Sequence, residues 1–286
     1  MTRYQLVLIA IAVILVVTLY FGAEISPNIK KKTTANTDQH QSPDTHSNIS
    51  TSNIDWTYIS ENAKSHLISS DIQLLNNMQS AADGESNLEK KSLLIDNIVR
   101  FWISKDNDLM AAKNLEDIAI IDHNDTMWIQ TGLAYQQAAD QNTNPKLAQI
   151  IWQKTKEAFT KATQINDSNI DAKIYLANAI IASGESPMKG VGILLDVVRR
   201  DSTHVKAQLE LGRFAIISQQ FDKAIMRLEK VIQYDPQNAD ALFLLAEAYK
   251  GIGDKTKAKA TFEKCKLLIH NDSLKTAIDQ YILDIN

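Results

Sequence analysis

Apolar residues recur every three or four positions through most of this chain, the spacing of one buried helix face. Trp56, Ile59, Ala63 and Leu67 form one such stripe. Ile72, Leu75 and Met78 form the next, after a break at Ser69 and Ser70. Leu88, Ile95, Ile98 and Trp102 mark another helix. A polar turn follows at Lys105, Asp106, Asn107 and Asp108, and then a helix carrying Met110, Leu115, Ile118 and Ile121. Further on the pattern itself repeats. Residues 205–238 and 239–272 are each 34 long and align position by position. Gly212 answers to Ala246, Ala215 to Tyr249, Ala224 to Ala258, Leu228 to Phe262 and Val231 to Cys265. A helix–turn–helix unit of this period cannot bury its apolar side alone and has to stack on neighbours.

The same pattern extends in both directions. Residues 170–204 form a 35-residue unit, with Leu176 and Ala177 at the helix contact and Leu194, Val197 and Val198 facing the core. Pro187 is expected to open its second helix, the position where proline costs least. Residues 125–169 form a 45-residue unit with Trp128, Gly132 and Tyr135 in its first helix and Phe159 and Ala162 in its second. Its surplus falls around 139–151, where Asn142, Asn144 and Pro145 signal a loop and Pro145 the start of an extended helix. Residues 55–124 form an amino-terminal helical region in which 91–124 is a degenerate repeat. Residues 273–286 place Leu274, Ile278, Tyr281, Ile282 and Ile285 on one stripe. This predicts a helix that covers the open end of the stack, N-capped by Asp272 or Ser273. The expected fold is all-α: a solenoid of antiparallel helix pairs with a carboxyl-terminal capping helix.

The first 54 residues read differently. Residues 6–23 are apolar except for Thr18, and as a helix they would span about 27 Å, close to the hydrocarbon core of a bilayer. Tyr20 and Phe21 stand near the far end, where aromatic rings suit the interface. A cleaved signal peptide is the rival reading. The apolar run is long for one, and no small-x-small pair ends it cleanly. The expectation is a transmembrane anchor over 1–23, an uncleaved signal anchor. Orientation has arguments on both sides. Lys30, Lys31 and Lys32 after the span favour a cytoplasmic carboxyl side; a tiny amino-terminal tail favours the opposite, which is the expectation adopted. Residues 24–54 are rich in Ser, Thr, Asn, Asp and Gln with no apolar period. Such a segment buries too little to offset its conformational entropy and reads as a disordered linker. His40 and His46 in it read as solvated rather than as metal ligands.

Composition narrows the chemistry. Only 9 glycines and 5 prolines in 286 residues favour helices over short strands and turns. The 30 basic residues are scattered against 34 acidic ones, so no concentrated basic face for nucleic acid is expected. Cys265 is the one cysteine, which excludes an intrachain disulfide; its place in the repeat predicts a buried, inert thiol. The six histidines are dispersed, with no H-E-x-x-H. Gly251, Gly253, Asp254, Lys255 and Thr256 lack the spacing of a phosphate loop and read as a turn between helices. No catalytic, cofactor or metal constellation emerges, so an enzyme is not expected.

With Leu211-Gly212, Ala224, Leu228, Val231 and Pro236 in one unit, and Leu242, Leu245-Ala246, Tyr249, Ala258 and Phe262 in the next, the chain resembles the tetratricopeptide repeat family. The Asp125 unit adds Trp128, Gly132 and Tyr135. His270 departs from the pattern, where the family has proline. The anchor, the linker and the run from Ser186 to Arg200 also resemble membrane-anchored repeat proteins of Bacteroidetes-type bacteria. With the anchor, the resemblance implies a bacterial inner membrane protein; the orientation adopted above puts its repeats in the periplasm, with the cytoplasmic side as the alternative. It also implies a concave groove lined by the first helix of each unit. Carried onto this sequence, the groove residues are Asn178, Lys206, Leu209, Arg213, Phe243 and Glu247, with Asp171, Ile174, Ile181, Ile216, Ile217, Asp240 and Lys250 beside them. Some family members bind a carboxyl-terminal peptide tail through Lys and Asn; Glu210 and Asp240 put acid where part of that clamp belongs. Two functions are expected from this. One is a membrane-anchored scaffold binding a protein or peptide. The other is an accessory or assembly subunit of an envelope enzyme system, of the cytochrome maturation type.

Overall fold

The computed structural model describes residues 54–183 and 186–285. The expected anchor at 6–23 and nearly all of the linker lie outside the described residues. Among the described residues no helix is long and apolar enough to cross a membrane. Ile54, placed at the end of the linker by its sequence, belongs to the fold: it is buried beside Ala112, Tyr135 and Ile151.

Thirteen helices make up the described residues, and there is no strand among them. They are α1 (Trp56–Ser65), α2 (Ser69–Gly84), α3 (Leu88–Ser104), α4 (Asp108–Asp122), α5 (Asp125–Asp140), α6 (Pro145–Ile165) and α7 (Ile170–Ala182). Then come α8 (Pro187–Arg200), α9 (Val205–Ile217), α10 (Phe221–Tyr234), α11 (Ala239–Gly251), α12 (Lys255–Leu268) and α13 (Asp272–Asp284). From α2 on, each helix packs on the next. The expected pairs appear as α3–α4, α5–α6, α7–α8, α9–α10 and α11–α12. The first helices of successive units also touch each other, α5 on α7, α7 on α9 and α9 on α11. Their side is therefore the tighter, inner one.

Asparagine starts most of these helices. Asn87, Asn107, Asn124, Asn144, Asn169, Asn238 and Asn271 each accept a hydrogen bond from a first-turn amide, satisfying donors the helix leaves open. Asn271 thus caps α13, where Asp272 or Ser273 was expected. Its side chain reaches the Leu274 amide at 3.1 Å, and Asp272 becomes the first helical residue. Pro145 and Pro187 open α6 and α8 as expected. The surplus in the 45-residue unit goes into its helices, not into a loop. With α6 at 21 residues and α10 at 14, the gain in the second helix alone is seven.

Small residues set how closely each pair packs. A Cβ on Gly132 would lie 2.5 Å from the Phe159 ring, and one on Gly212 would lie 2.8 Å from Leu228. In α8 a Cβ on Gly190 would meet the Ala177 carbonyl oxygen at 2.4 Å, a backbone contact that cannot swing aside. Phe159, Leu228 and Phe262 are thereby fully buried, each burial contributing roughly 1.5–3 kcal/mol. The turns repeat too. Gln219 (φ 58°) and Gly253 (φ 81°) hold the same left-handed position in consecutive units.

A hydroxyl tether joins units at two places. The Tyr135 hydroxyl donates to Glu116 of the preceding second helix at 2.7 Å, and Tyr249 donates to Glu229 in the same way at 2.8 Å. Lys154 also reaches Glu116, at 3.2 Å.

Two stability predictions follow from this packing. Gly190→Ala is expected to lower unfolding stability by about 1–3 kcal/mol. Gly192→Ala, on the open side of the same helix with nothing within 4 Å of the new carbon, is expected to keep or raise it by up to about 1 kcal/mol. Urea unfolding of the two variants measures the contrast. Tyr135→Phe removes a buried bond to a carboxylate and is expected to cost about 1.5–3 kcal/mol, more than Tyr249→Phe at its less buried position.

Candidate functional site

The six residues assigned to the groove fall on the first helices of three consecutive units. Asn178 is on α7; Lys206, Leu209 and Arg213 are on α9; Phe243 and Glu247 are on α11. The 34- and 35-residue spacings bring equivalent positions side by side, so Asn178, Arg213 and Glu247 form one row and Asp171, Lys206 and Asp240 another. Leu209 and Phe243 are half-buried against the core of the last units. The Phe243 ring meets Phe262 and Tyr281 edge-on, both at 5.4 Å between centroids. Both side chains therefore serve the packing between repeats. Ile174 is fully buried, while Ile217 at the end of α9 stands 63% exposed.

The charges on this face are largely met from within it. Lys206 Nζ lies 2.7 Å from Asp171 Oδ1 of the neighbouring unit and 4.0 Å from the centre of the Tyr175 ring. Burial works against its charge, but the bonds to Asp171 and Tyr175 outweigh this and hold the ammonium above its usual pKa. Arg213 Nε lies 3.5 Å from Glu210, and Lys250 Nζ lies 3.7 Å from Glu247. Lys250 also sits 5.2 Å from the centre of the Tyr281 ring. The three cations of the face are thus each engaged by an acid, while Asp240 makes no ion pair among the described residues.

Two carboxylates are uncomfortable. Burial raises the pKa of Glu210, against the pull of Arg213 and Lys206. Burial raises Glu247 likewise, against Lys250. The Glu247 Oε1 atom is buried, and the Lys250 ammonium stands 3.7 Å from it, beyond hydrogen-bond length. Such an atom loses its hydration without full compensation. The face therefore offers acceptors and has its cations occupied. A free peptide carboxylate would have to displace an internal acid to bind here; a donor-bearing or cationic segment would not.

Tyr175 and Tyr281 were not among the expected site residues, yet their rings lie under Lys206 and Lys250. The spacing of four between Asp171 and Tyr175 on α7 was the available signal, since it puts both on one helix face. Tyr281 reaches the face only because α13 folds back on α11, which no local pattern announces. Cys265 is buried, its thiol pushed up to about 12 by burial and the nearby Asp240, and it points at the Ala239 carbonyl. It is not a nucleophile at neutral pH. Among the described residues no group of three or more His, Cys, Asp or Glu is placed to hold a metal ion.

Residues 215–274 match the family model of the tetratricopeptide repeat. No curated protein sequence matches the chain. Among solved structures, a tetratricopeptide repeat protein from Parabacteroides merdae superimposes with a TM-score of 0.51 at 15% identity, covering 68% of this chain and 72% of that one. Looser matches are MamA from Desulfovibrio magneticus RS-1 (TM-score 0.48, 18% identity, 62% of this chain and 94% of that one) and YrrB, a repeat protein with an unusual peptide-binding site (TM-score 0.43, 17% identity, 71% and 97%). Residues 215–274 thus carry the tetratricopeptide repeat pattern, and the array of helix hairpins around them shares the fold of such proteins.

Proposed function

We propose that this chain is a protein-interaction scaffold. In this reading the inner face of α7, α9 and α11 captures a polypeptide segment, and residues 6–23 anchor the repeats to a bacterial inner membrane with the bulk outside the cytoplasm. The observations that support capture most directly are the buried Glu247 carboxylate on α11, whose Oε1 is 3.7 Å from the Lys250 ammonium, and the exposed Ile217 at the end of α9. Selection for stability alone favours removing both, since a half-paired buried carboxylate and an exposed large apolar side chain each cost the isolated protein something. A partner carrying an amide or cationic donor next to an apolar side chain would satisfy both. The residues assigned to this capture are Asn178, Lys206, Leu209, Arg213, Phe243 and Glu247, with Leu209 and Phe243 shaping the face from beneath.

The test is affinity purification of the full chain from membranes after mild crosslinking. A reproducible co-purifying protein is expected, and its consistent absence would sink the reading. Ile217→Lys is expected to cut the yield of that protein while leaving the melting temperature unchanged, because the side chain is mostly in solvent and a lysine suits a helix end.

Glu247→Gln carries a pH signature. Because the folded carboxyl has a raised pKa, the native state binds its proton more tightly than the unfolded chain. Its cost is absent below the unfolded value of about 4.3, grows as pH rises from there to the folded value, and is complete above it. The variant is therefore expected to melt higher than the parent at neutral pH, with the gain vanishing on acidification. A variant equally or less stable at pH 7 would remove the argument from Glu247.

A further inference from the structure

Two apolar grooves lie away from the face just described. One is on the outer side, between α10 and α12 with α11 as its floor, and encloses about 610 Å³. Leu242 and Leu245 form its apolar base, and Lys257 and Lys264 project along its wall. At its rim Leu267 stands 82% exposed, the largest exposure among the big apolar side chains of the described residues. The one acid lining it, Glu229, is already taken by the Tyr249 hydroxyl. Lys257 leans on Asp254 at 3.5 Å. Lys264 has no partner among the described residues.

The other groove lies between α3 and α5 with α4 as its floor, and encloses about 470 Å³. Leu115, Ile118 and Ile121 form its base. Its charged rim is of the opposite sign: Glu89, Asp96 and Asp122 line it, and no basic residue does. Asp96 holds Arg100, and Asp122 accepts from the Ser92 hydroxyl. Glu89 has no partner among the described residues. The α3 wall presents Leu88 and Leu93, 61% and 64% exposed.

Each groove thus comes with a ridge: Leu267 beside Lys264 on α12, and Leu93 beside Glu89 on α3. The ridges are apolar knobs flanked by opposite charges, and each stands exposed at the edge of its own groove. The helices α6 to α9 separate the two places in the stack, so one copy cannot close them on each other. We propose that the occupant is a second copy of this chain, bound head to tail, with the α3 ridge of one copy seated in the α10–α12 groove of the next. Leu93 enters the apolar base there, and Glu89 pairs with Lys264. The contact joins two different patches, so in a pair one copy keeps its α3 ridge free and the other its α10–α12 groove, and the association continues into a chain of copies. The inner face of α7, α9 and α11 stays open in it. The proposal does not depend on what that face binds.

The test uses the full chain in a Cys265→Ser background. Glu89→Cys and Lys264→Cys variants are purified separately, mixed and mildly oxidised. A two-chain product linked between positions 89 and 264 is expected, and the variant carrying both cysteines is expected to give a ladder. Glu89→Cys mixed with Lys161→Cys, on the exposed side of α6, is expected to give none. Sedimentation of the cysteine-free chain is expected to show association that falls with salt. Lys264→Glu weakens it several-fold, and mixing that variant with Glu89→Lys restores it. A monomer at all concentrations, products linked only between like positions, equal yield with position 161, or no rescue by the reversed pair would each overturn the proposal. Binding of an unrelated protein in the α10–α12 groove in place of a second copy would overturn it too.

Discussion

Close approach of two helices at a residue without a side chain is the contact on which the rest of this molecule depends. Gly132 under Phe159, Gly190 against the Ala177 carbonyl and Gly212 under Leu228 let three successive hairpins bring the second helix down onto the first. Only then does the large residue of the second helix fill the space between units and lose its water. A hairpin held a little further apart would leave those side chains half-wet, and stacking, which supplies nearly all the stability of such an array, would lose its driving force. The inner face follows from the same spacing, because it is the close pitch of α7, α9 and α11 that brings Lys206 within reach of Asp171.

That face is built with its cations spoken for. Lys206, Arg213 and Lys250 are engaged by Asp171, Glu210 and Glu247, so its net offer to a partner is acceptor oxygen and apolar surface. Pairs of this kind contribute little to stability when exposed and carry a desolvation cost when buried. Their effect is selective: they discriminate against a partner that brings only negative charge.

Much of this was readable in the residues. The 34-residue period, the helix pairs and the proline-opened helices α6 and α8 follow from local pattern, because a repeat states its own register several times over. Three things did not follow. Asn107 and Asn144 looked like turn and loop residues and prove to be caps, since asparagine serves both roles and only backbone geometry separates them. In the 45-residue unit the extended helix from Pro145 was legible, but the loop around Asn142 and Asn144 is only four residues and the rest of the surplus lengthens the first helix. The rings of Tyr175 and Tyr281 under the lysines, and the burial of the Glu247 carboxylate, arise from contacts between units. A one-dimensional pattern carries no term for those.

The aromatic cluster under α13 has a consequence for how such a chain changes over generations. Tyr281 stacks on Phe262 at 5.7 Å and meets Phe243 edge-on, closing the end of the array with a lock specific to the final hairpin. Gene duplication can add a hairpin in the interior, where each neighbour presents a similar surface. A hairpin added after α12 would separate Tyr281 from both rings unless it brought equivalent rings with it. An inserted hairpin is therefore expected to be tolerated better between interior pairs than between α12 and α13.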